Sequence, residues 1–197
     1  EKPSIAYSAY SAGAGWGSTV SNSGVAGVTG RGCALEAFKM NYSGSVPGGL
    51  SYRAYLANLG WQDTVDGDAI AGAPGQGNDL QAIAISLTGE AAKYYDVWYR
   101  VHVSEIGWMG WTSNGEPAGT SGKALQVEAI EIRLVEKGST APGDSTNSWQ
   151  GQSESMSGTL KTWSGKTHSS SGDSLILGAP EASAPAIGMT LQLNNLI

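Results

Sequence analysis

Apolar and polar residues alternate in a way that predicts two long β-strands within a unit of about 36 residues. In residues 99–103, Tyr99, Val101 and Val103 alternate with Arg100 and His102, the period of a strand with one buried face. A second strand is predicted over residues 124–134, where the phase of the apolar residues changes at Ala129. Such a change predicts a bulge or sharp bend in the strand.

The same unit occurs three times along the chain. Segments 7–42, 52–87 and 99–134 align without a gap, and seven positions are identical in all three, among them a Tyr, a Gly-Trp pair and an Ala-Gly pair. Between the two predicted strands lie residues rich in Gly, Asn, Asp and Ser, which are typical of turns. One unit of this size cannot bury its apolar face alone, so the repeats are expected to close on one another.

Three closing units predict an all-β fold with pseudo-threefold symmetry. A β-trefoil is slightly favoured over a β-prism, the other threefold arrangement of strands. Closure also removes exposed strand edges. Lysines commonly keep such edges from pairing with other chains, and this chain has few of them. Within the second strand, Glu36, Gln81 and Glu128 share one position, and we expect Glu128 to be a half-buried acceptor for backbone amides of the turns.

The repeats divide the chain into three parts. Residues 1–135 hold the three repeats, and residues 136–152 have the composition of a linker, rich in Gly, Ser, Thr and Pro. Residues 153–197 are predicted to form a β or irregular C-terminal extension. Part of this extension, residues 174–193, resembles a degenerate half repeat because Gly178, Ala179 and Pro180 align with Gly72, Ala73 and Pro74.

Composition narrows the classes of partner. The net charge of −6 argues against nucleic acid, because neutralising phosphates requires an excess of Lys and Arg. No apolar run is long enough to predict insertion into a membrane. The single cysteine, Cys33, excludes an internal disulfide framework. Seven Trp and eight Tyr against one Phe favour aromatic residues that also carry a polar group, as binding surfaces do.

The chain is predicted not to be an enzyme. Its two histidines, His102 and His168, lack a recognisable nucleophile and acid partner. His102 takes the position of a Tyr in the other copies, which favours a packing role. Three acidic residues after the second Gly-Trp pair form a weak candidate calcium site, although the other copies lack them and no cofactor is otherwise predicted. These residues are Asp63, Asp66 and Asp68.

Tryptophans supply the candidate binding residues. Identity in every copy favours a place in a symmetric core for Trp16, Trp61 and Trp108, although sugar-binding proteins with several sites also triplicate such residues. Trp98 and Trp111 break the symmetry, and a threefold core does not need them. The third repeat is therefore the predicted principal site, with flat apolar rings for sugar stacking and polar groups for hydroxyls. Its residues are Trp98, Trp108, Trp111, Asn114 and Glu116.

These motifs resemble one known family. An aromatic residue, a Gly-Trp pair, Gly- and Asn-rich turns, Ala-Gly-x-x-Gly and Leu-x-Glu-Ala-Ile are similar to the ChW repeat, the clostridial hydrophobic repeat with its tryptophan. The resemblance covers residues 7–134. It implies a protein that is secreted or displayed on the cell surface of a Gram-positive bacterium, without catalytic residues, in a family thought to bind polysaccharides, adhesion ligands or other proteins.

The expected function is that of a non-catalytic binding module for carbohydrate, on a polysaccharide or the glycan of a glycoprotein. Trp and Tyr equally anchor protein interfaces, so an adhesin that binds a host or bacterial protein surface is the first alternative. A structural spacer beside a catalytic domain is the second.

Overall fold

Each repeat forms a hairpin of two long strands in the computed structural model of the protein, which describes residues 2–151. The predicted extension 153–197 and His168 lie outside these residues. The elements in chain order are β1 (Ser4–Ser11), β2 (Gly15–Trp16), β3 (Val20–Ser21), β4 (Val25–Gly27), β5 (Leu35–Ser43), β6 (Gly48–Leu56), β7 (Gly60–Trp61), β8 (Val65–Asp66), β9 (Ala71–Gly72), β10 (Leu80–Gly89), α1 (Ala91–Tyr94), β11 (Tyr95–Val103), β12 (Gly107–Trp108), β13 (Thr112–Ser113), β14 (Ala118–Thr120), β15 (Val127–Glu136) and β16 (Trp149–Gln150).

The long strands pair antiparallel within each repeat, as β1 with β5, β6 with β10 and β11 with β15. The register slips by one residue near the start of each second strand. In the third repeat His102 faces Ala129 and Val103 faces Val127, which leaves Glu128 as the extra residue. The bulge that the sequence predicts at this point is confirmed, and Glu36 and Gln81 hold the same place in the other repeats.

Each repeat also gives its Ala-Gly strand to the sheet of another repeat. β4 of the first repeat pairs with β15 of the third, β9 of the second with β5 of the first, and β14 of the third with β10 of the second. The three exchanges form a closed cycle. The predicted all-β fold with three repeats is therefore confirmed, with one sheet per hairpin, while the choice between trefoil and prism stays a prediction.

The glycine of the Ala-Gly pair makes this exchange sterically feasible. Gly27, Gly72 and Gly119 have φ values of 109°, 105° and 124°. A Cβ on any of them would lie 2.2 to 2.3 Å from a carbonyl oxygen of the receiving strand. Only glycine tolerates both the positive φ and this close approach.

Three buried tyrosines also link consecutive repeats, through hydrogen bonds made by their hydroxyl groups. The Tyr7 hydroxyl accepts a hydrogen bond from the Ile132 amide at 3.0 Å, and the Tyr99 hydroxyl accepts one from the Ile85 amide at 3.1 Å. Tyr52 does the same with the Met40 amide at 3.2 Å. Each hydroxyl also donates to a carbonyl of its own repeat, at Gly24, Ala69 and Glu116. The hydroxyls therefore join consecutive repeats at equivalent points.

The bulged acidic residues hold the turns of the next repeat. The Glu128 carboxylate, which is almost fully buried, accepts hydrogen bonds from the Gly30 and Gly32 amides at 2.8 Å each. Glu36 accepts them from the Gly75 and Gly77 amides at 2.5 and 3.2 Å. The prediction that Glu128 is an acceptor for turn amides is confirmed, although the residue is 2% exposed and therefore buried more deeply than the sequence predicts.

The inward faces of the hairpins form one apolar core at the centre of the three sheets. Its larger members come from all three repeats: Ile5, Tyr7, Leu35, Phe38, Met40, Leu50, Tyr52, Leu56, Leu80, Ile83, Ile85, Val97, Tyr99, Val101, Ile130 and Ile132. Within residues 2–151 the one helix, α1, has four residues, and no helix there is long and apolar enough to cross a membrane.

Residues 137–150 pack on the repeats, although their composition predicts a linker over 136–152. β16 adds a parallel strand to the outer edge of β14, the Trp111 amide donates to the Asp144 carbonyl at 2.8 Å, and the Gly119 amide donates to the Ser148 carbonyl at 2.9 Å. Backbone groups make these contacts, so a composition rich in Gly, Ser and Thr does not reveal them.

Replacing Tyr99 by Phe is expected to lower the free energy of unfolding by about 1–3 kcal/mol, because the Ile85 amide and the Glu116 carbonyl then lose a buried partner. Chemical denaturation followed by tryptophan fluorescence measures this loss. Tyr94→Phe is the matched control, since the Tyr94 side chain is 56% exposed. Equal losses in the two variants would contradict the role of the hydroxyl.

Alkaline pH is expected to destabilise the fold from about pH 10 upward. Burial raises the pKa of Tyr7 to about 12 and raises the pKa values of Tyr52 and Tyr99 as well. Unfolded tyrosines ionise near pH 10, so this stabilisation is complete below pH 10 and is lost as the pH rises towards 12. Denaturant unfolding at pH 8, 10 and 11 measures the effect, and the fall should be shallower in Tyr99→Phe.

Candidate binding site

The tryptophan of each Gly-Trp pair lies on the surface of the protein. Trp16 is 38% exposed, and Trp61 and Trp108 are half-buried. Each belongs to a two-residue strand that pairs near the end of the first hairpin strand, opposite an outward-facing residue. The core location that the sequence favours for these three residues is therefore wrong, because the preceding turn returns the chain along the outer face.

Each of these rings contacts an aromatic residue edge-on. The ring centroids of Tyr10 and Trp16 are 5.6 Å apart, and those of Tyr55 and Trp61 are 5.5 Å apart. In the third repeat His102 replaces the tyrosine, with its centroid 5.5 Å from that of Trp108. Its Nδ1 atom is also 3.0 Å from a Glu128 carboxylate oxygen.

A basic group covers one face of each ring. The Arg53 guanidinium carbon is 4.3 Å from the Trp61 centroid, and that of Arg100 is 4.5 Å from the Trp108 centroid. In the first repeat Ser8 replaces this arginine, and Lys39 from the paired strand lies 5.1 Å from the Trp16 centroid. Cation–π contacts of this kind fix the ring in place while leaving its other face to ligands or solvent.

The third repeat extends this contact into a larger cluster. Arg100 lies between Trp108 and Trp111, 4.8 Å from the Trp111 centroid, and Arg133 lies 5.0 Å from that same centroid. The buried Glu131 carboxylate bridges both guanidinium groups, at 2.7 Å from Arg100 and 2.9 Å from Arg133. The two arginines were not among the predicted site residues. The sequence signal for Arg100 is its position between Trp98 and His102 on one face of β11, and Arg133 lies opposite Trp98 on β15.

Trp111 is 3% exposed, because the segment after β15 covers it. A Cβ on Gly143 would lie 3.1 Å from the Trp111 indole nitrogen, and one on Gly110 would lie 2.0 Å from the Thr146 carbonyl oxygen. Trp111 departs from threefold symmetry for a structural reason. It packs beneath the segment that follows β15, and the first and second repeats have no such segment.

A pocket of about 390 Å³ opens where this segment meets the third repeat. Trp108 and Trp111 line it together with Arg100 and Arg133. The following segment adds Asp144, Thr146, Asn147 and Gln150. The pocket therefore combines indole rings with carboxamide, hydroxyl and guanidinium groups, and it brings together two of the predicted site residues.

Family comparison agrees with the geometry of the three repeats. A family model described as Clostridial hydrophobic W, or ChW, matches residues 11–44, 55–89 and 102–136, more than half of the chain. The chain belongs to the ChW family. No curated protein and no solved structure matches it.

The other predicted residues of the third ChW repeat lie outside this pocket. Asn114 accepts a hydrogen bond from the Val97 amide at 3.2 Å and donates one to Asp96 at 2.8 Å, so its amide serves the fold. Asn22 holds the corresponding strand amide, that of Ile5, in the first repeat. Glu116 is exposed and contributes its carbonyl to Tyr99. Trp98 is half-buried on the outer face of β11, and its indole nitrogen has no hydrogen-bond partner within residues 2–151.

The three acidic residues predicted as a weak calcium site in the second ChW repeat do not come together as a set of metal ligands. Asp63, Asp66 and Asp68 are all exposed. No group of three or more His, Cys, Asp or Glu side chains able to hold a metal ion occurs in the part of the chain that the structure describes. The spacing of these residues instead follows the turn around β8.

Asp96 anchors the start of the segment that follows the third ChW repeat. Its carboxylate accepts hydrogen bonds from the Lys137 ammonium group and the Gly138 amide, each at 2.8 Å, as well as from Asn114. Burial raises the pKa of Asp96, but these hydrogen bonds and the charge of Lys137 outweigh it, so the pKa lies below its ordinary value.

Replacing Asp96 by Asn is expected to lower the free energy of unfolding at pH 6 by about 1–3 kcal/mol, because Lys137 loses its ion pair and one hydrogen-bond acceptor is removed. The stabilisation by the ionised carboxylate is present above the unfolded pKa, near 3.9, and is lost as the pH falls through the lower pKa of the folded state. Denaturation at pH 6, 4 and 3 should therefore show the two proteins converging. Asp68→Asn, at an exposed position, is the control, and a gap that stays constant with pH would contradict the role of the carboxylate.

Proposed function

We propose that the chain is a non-catalytic binding module, secreted or displayed at the cell surface, that recognises carbohydrate in the pocket of the third repeat. The observation that carries the proposal is the meeting of the half-buried Trp108 ring with Arg133, Asn147 and Gln150 in one pocket. An indole face accepts the C–H face of a sugar ring, while carboxamide and guanidinium groups hydrogen-bond its hydroxyls. A volume of about 390 Å³ suits a small oligosaccharide.

The charges around the pocket favour an uncharged sugar. The guanidinium groups of Arg100 and Arg133 are balanced by the carboxylates of Glu131 and Asp144, and Glu131 is ion-paired with both arginines. Without an excess of positive charge, the pocket has no strong attraction for sulfated or carboxylated sugars. We therefore expect hexose or acetylated amino-sugar units of a polysaccharide or glycoprotein glycan as ligands.

A glycan array probed with the whole chain identifies the ligand, and calorimetric titration with the sugar it selects tests the pocket. Trp108→Ala is expected to weaken binding at least about tenfold, equivalent to about 1.4 kcal/mol. Asn147→Gly should weaken it as well, since it removes the carboxamide and suits the positive φ of 55° at this position. Trp16→Ala, at the equivalent position of the first repeat, is the matched control and should bind as the unmodified chain does.

Two results would replace this proposal. A blank array together with binding to a partner that survives deglycosylation and excess free sugar would establish recognition of a protein surface. The absence of any saturable ligand would leave a structural spacer. Equal losses in Trp108→Ala and Trp16→Ala would overturn the assignment to the third repeat.

A further inference from the structure

The third repeat holds an extended piece of polypeptide along the outer edge of its Ala-Gly strand. β16 runs parallel to β14, with Gly119 opposite Trp149 and Thr120 opposite Gln150. The amides of Gly119 and Trp111 donate to the Ser148 and Asp144 carbonyls. Because these hydrogen bonds involve the backbone, the arrangement is a strand addition of the kind by which sheet edges bind peptides.

The same segment places an aromatic side chain on the neighbouring repeat. The Trp149 ring stacks on that of Trp61, with centroids 6.2 Å apart and planes inclined by 29°. Trp61 belongs to the second repeat, whose β10 is the strand that pairs with β14. One short segment thus contacts a strand edge of one repeat and the Gly-Trp tryptophan of another.

The first repeat has the same two features without an occupant among residues 2–151. β4 is the last strand of its sheet within that range. A groove of about 330 Å³ runs along it, lined by Trp16, Ser18, Val20, Val25, Gly27 and Val28. Val25 and Val28 are 45% and 52% exposed. β14 pairs with the second repeat, whose Gly-Trp tryptophan is Trp61, whereas β4 pairs with β15 of the third repeat. The tryptophan beside β4 that corresponds to Trp61 is therefore Trp108 of the third repeat.

One residue position differs among the three repeats at the point where an added segment would lie beside the Ala-Gly strand. Gly110 lies so close to the Thr146 carbonyl that a Cβ there would be 2.0 Å from the oxygen. The equivalent residue is Ser18 in the first repeat and Asp63 in the second. Asp63 adds both bulk and charge at this point, so the second repeat excludes a similar occupant. Ser18 adds a small side chain and obliges the occupant to lie slightly farther out.

We propose that the first repeat binds an extended segment of a partner protein, which adds a parallel strand to β4 and sets an aromatic side chain against Trp108. The residues of that segment that face the groove are small and polar, as Ser145, Thr146 and Ser148 are in the segment on the third repeat. The chain's own segment already serves the third repeat, which favours a separate polypeptide over a second copy of this chain. This site shares Trp108 with the proposed sugar pocket, whereas β4 and the groove beside it lie outside that pocket.

The probe is a synthetic peptide of residues 144–151, Asp-Ser-Thr-Asn-Ser-Trp-Gln-Gly, titrated into the isotope-labelled full chain and followed by amide chemical shifts. Saturable shifts are expected at Thr19, at residues 25–28 and at the Trp108 indole. A peptide with Ala in place of its Trp should bind about twofold to tenfold more weakly, because stacking on an aromatic ring contributes about 0.5–1.5 kcal/mol.

Variants of the groove test the location. Ser18→Tyr fills the groove and is expected to weaken peptide binding at least about tenfold, whereas Ser18→Gly should strengthen it about twofold to threefold. Asp63→Tyr, at the equivalent position of the second repeat, is the matched control and should change nothing. Neither Ser18 nor Asp63 lines the sugar pocket, and Asn147→Gly affects that pocket without touching this groove, so failure of either proposal is distinguishable from failure of the other.

Three outcomes would overturn the proposal. Shifts confined to Trp111 and Gly119 would mean that the peptide only exchanges with the chain's own segment. The absence of saturable shifts at millimolar peptide would mean that the groove does not take a strand. A dimer by light scattering that Ser18→Tyr dissociates would assign the groove to a second copy of the chain.

Discussion

The exchange of short strands between repeats determines the architecture of this protein. Each Ala-Gly strand leaves its own hairpin and completes the sheet of another, and the third repeat receives its strand from the first. The exchange depends on a glycine whose Cα meets a neighbouring backbone too closely for any side chain. A tyrosine hydroxyl at each joint, and a buried glutamate at two of them, satisfy the remaining backbone groups. The repeats therefore stabilise one another around the whole cycle.

Threefold order ends where the segment after β15 begins. This segment exists once, so the residues that receive it also occur once: Trp111 beneath it, Gly110 in close contact with it, and Asp96 at its start. The pocket of the third repeat is a product of the same asymmetry, because six of its thirteen lining residues come from residues 142–150. Distinct surfaces on similar repeats thus follow from one added piece of chain.

Much of the fold is predictable because it follows from local patterns that recur. The identical Ala-Gly pairs, the alternation along β11 and the change of phase at Ala129 predict three repeats, hairpins and a bulge at Glu128, and all are found. The order of pairing around the cycle is not predictable in this way, because it depends on which repeat each short strand reaches.

The candidate site is only partly predictable. Identity of Trp16, Trp61 and Trp108 in every copy favours a core position, yet all three lie on the surface, because a period of two does not tell which face of a strand points inward. Trp108 and Trp111 do meet in one pocket, but Asn114 lies at a turn position with positive φ, where its amide group hydrogen-bonds the Val97 amide and Asp96. Residues 142–150 were missed because their contacts use main-chain atoms, which carry no signature in composition.

The strand exchange also limits which deletions this fold can tolerate. Deleting one repeat from this chain would not give a smaller version of the same molecule, because one hairpin would lack the strand it receives and one Ala-Gly strand would lack a recipient. The two remaining units would need a new angle between them to close, and the glycine contacts at each joint leave little freedom for that. The number of repeats in the assembled unit is therefore a property of the joint, built into the Ala-Gly pair of each repeat.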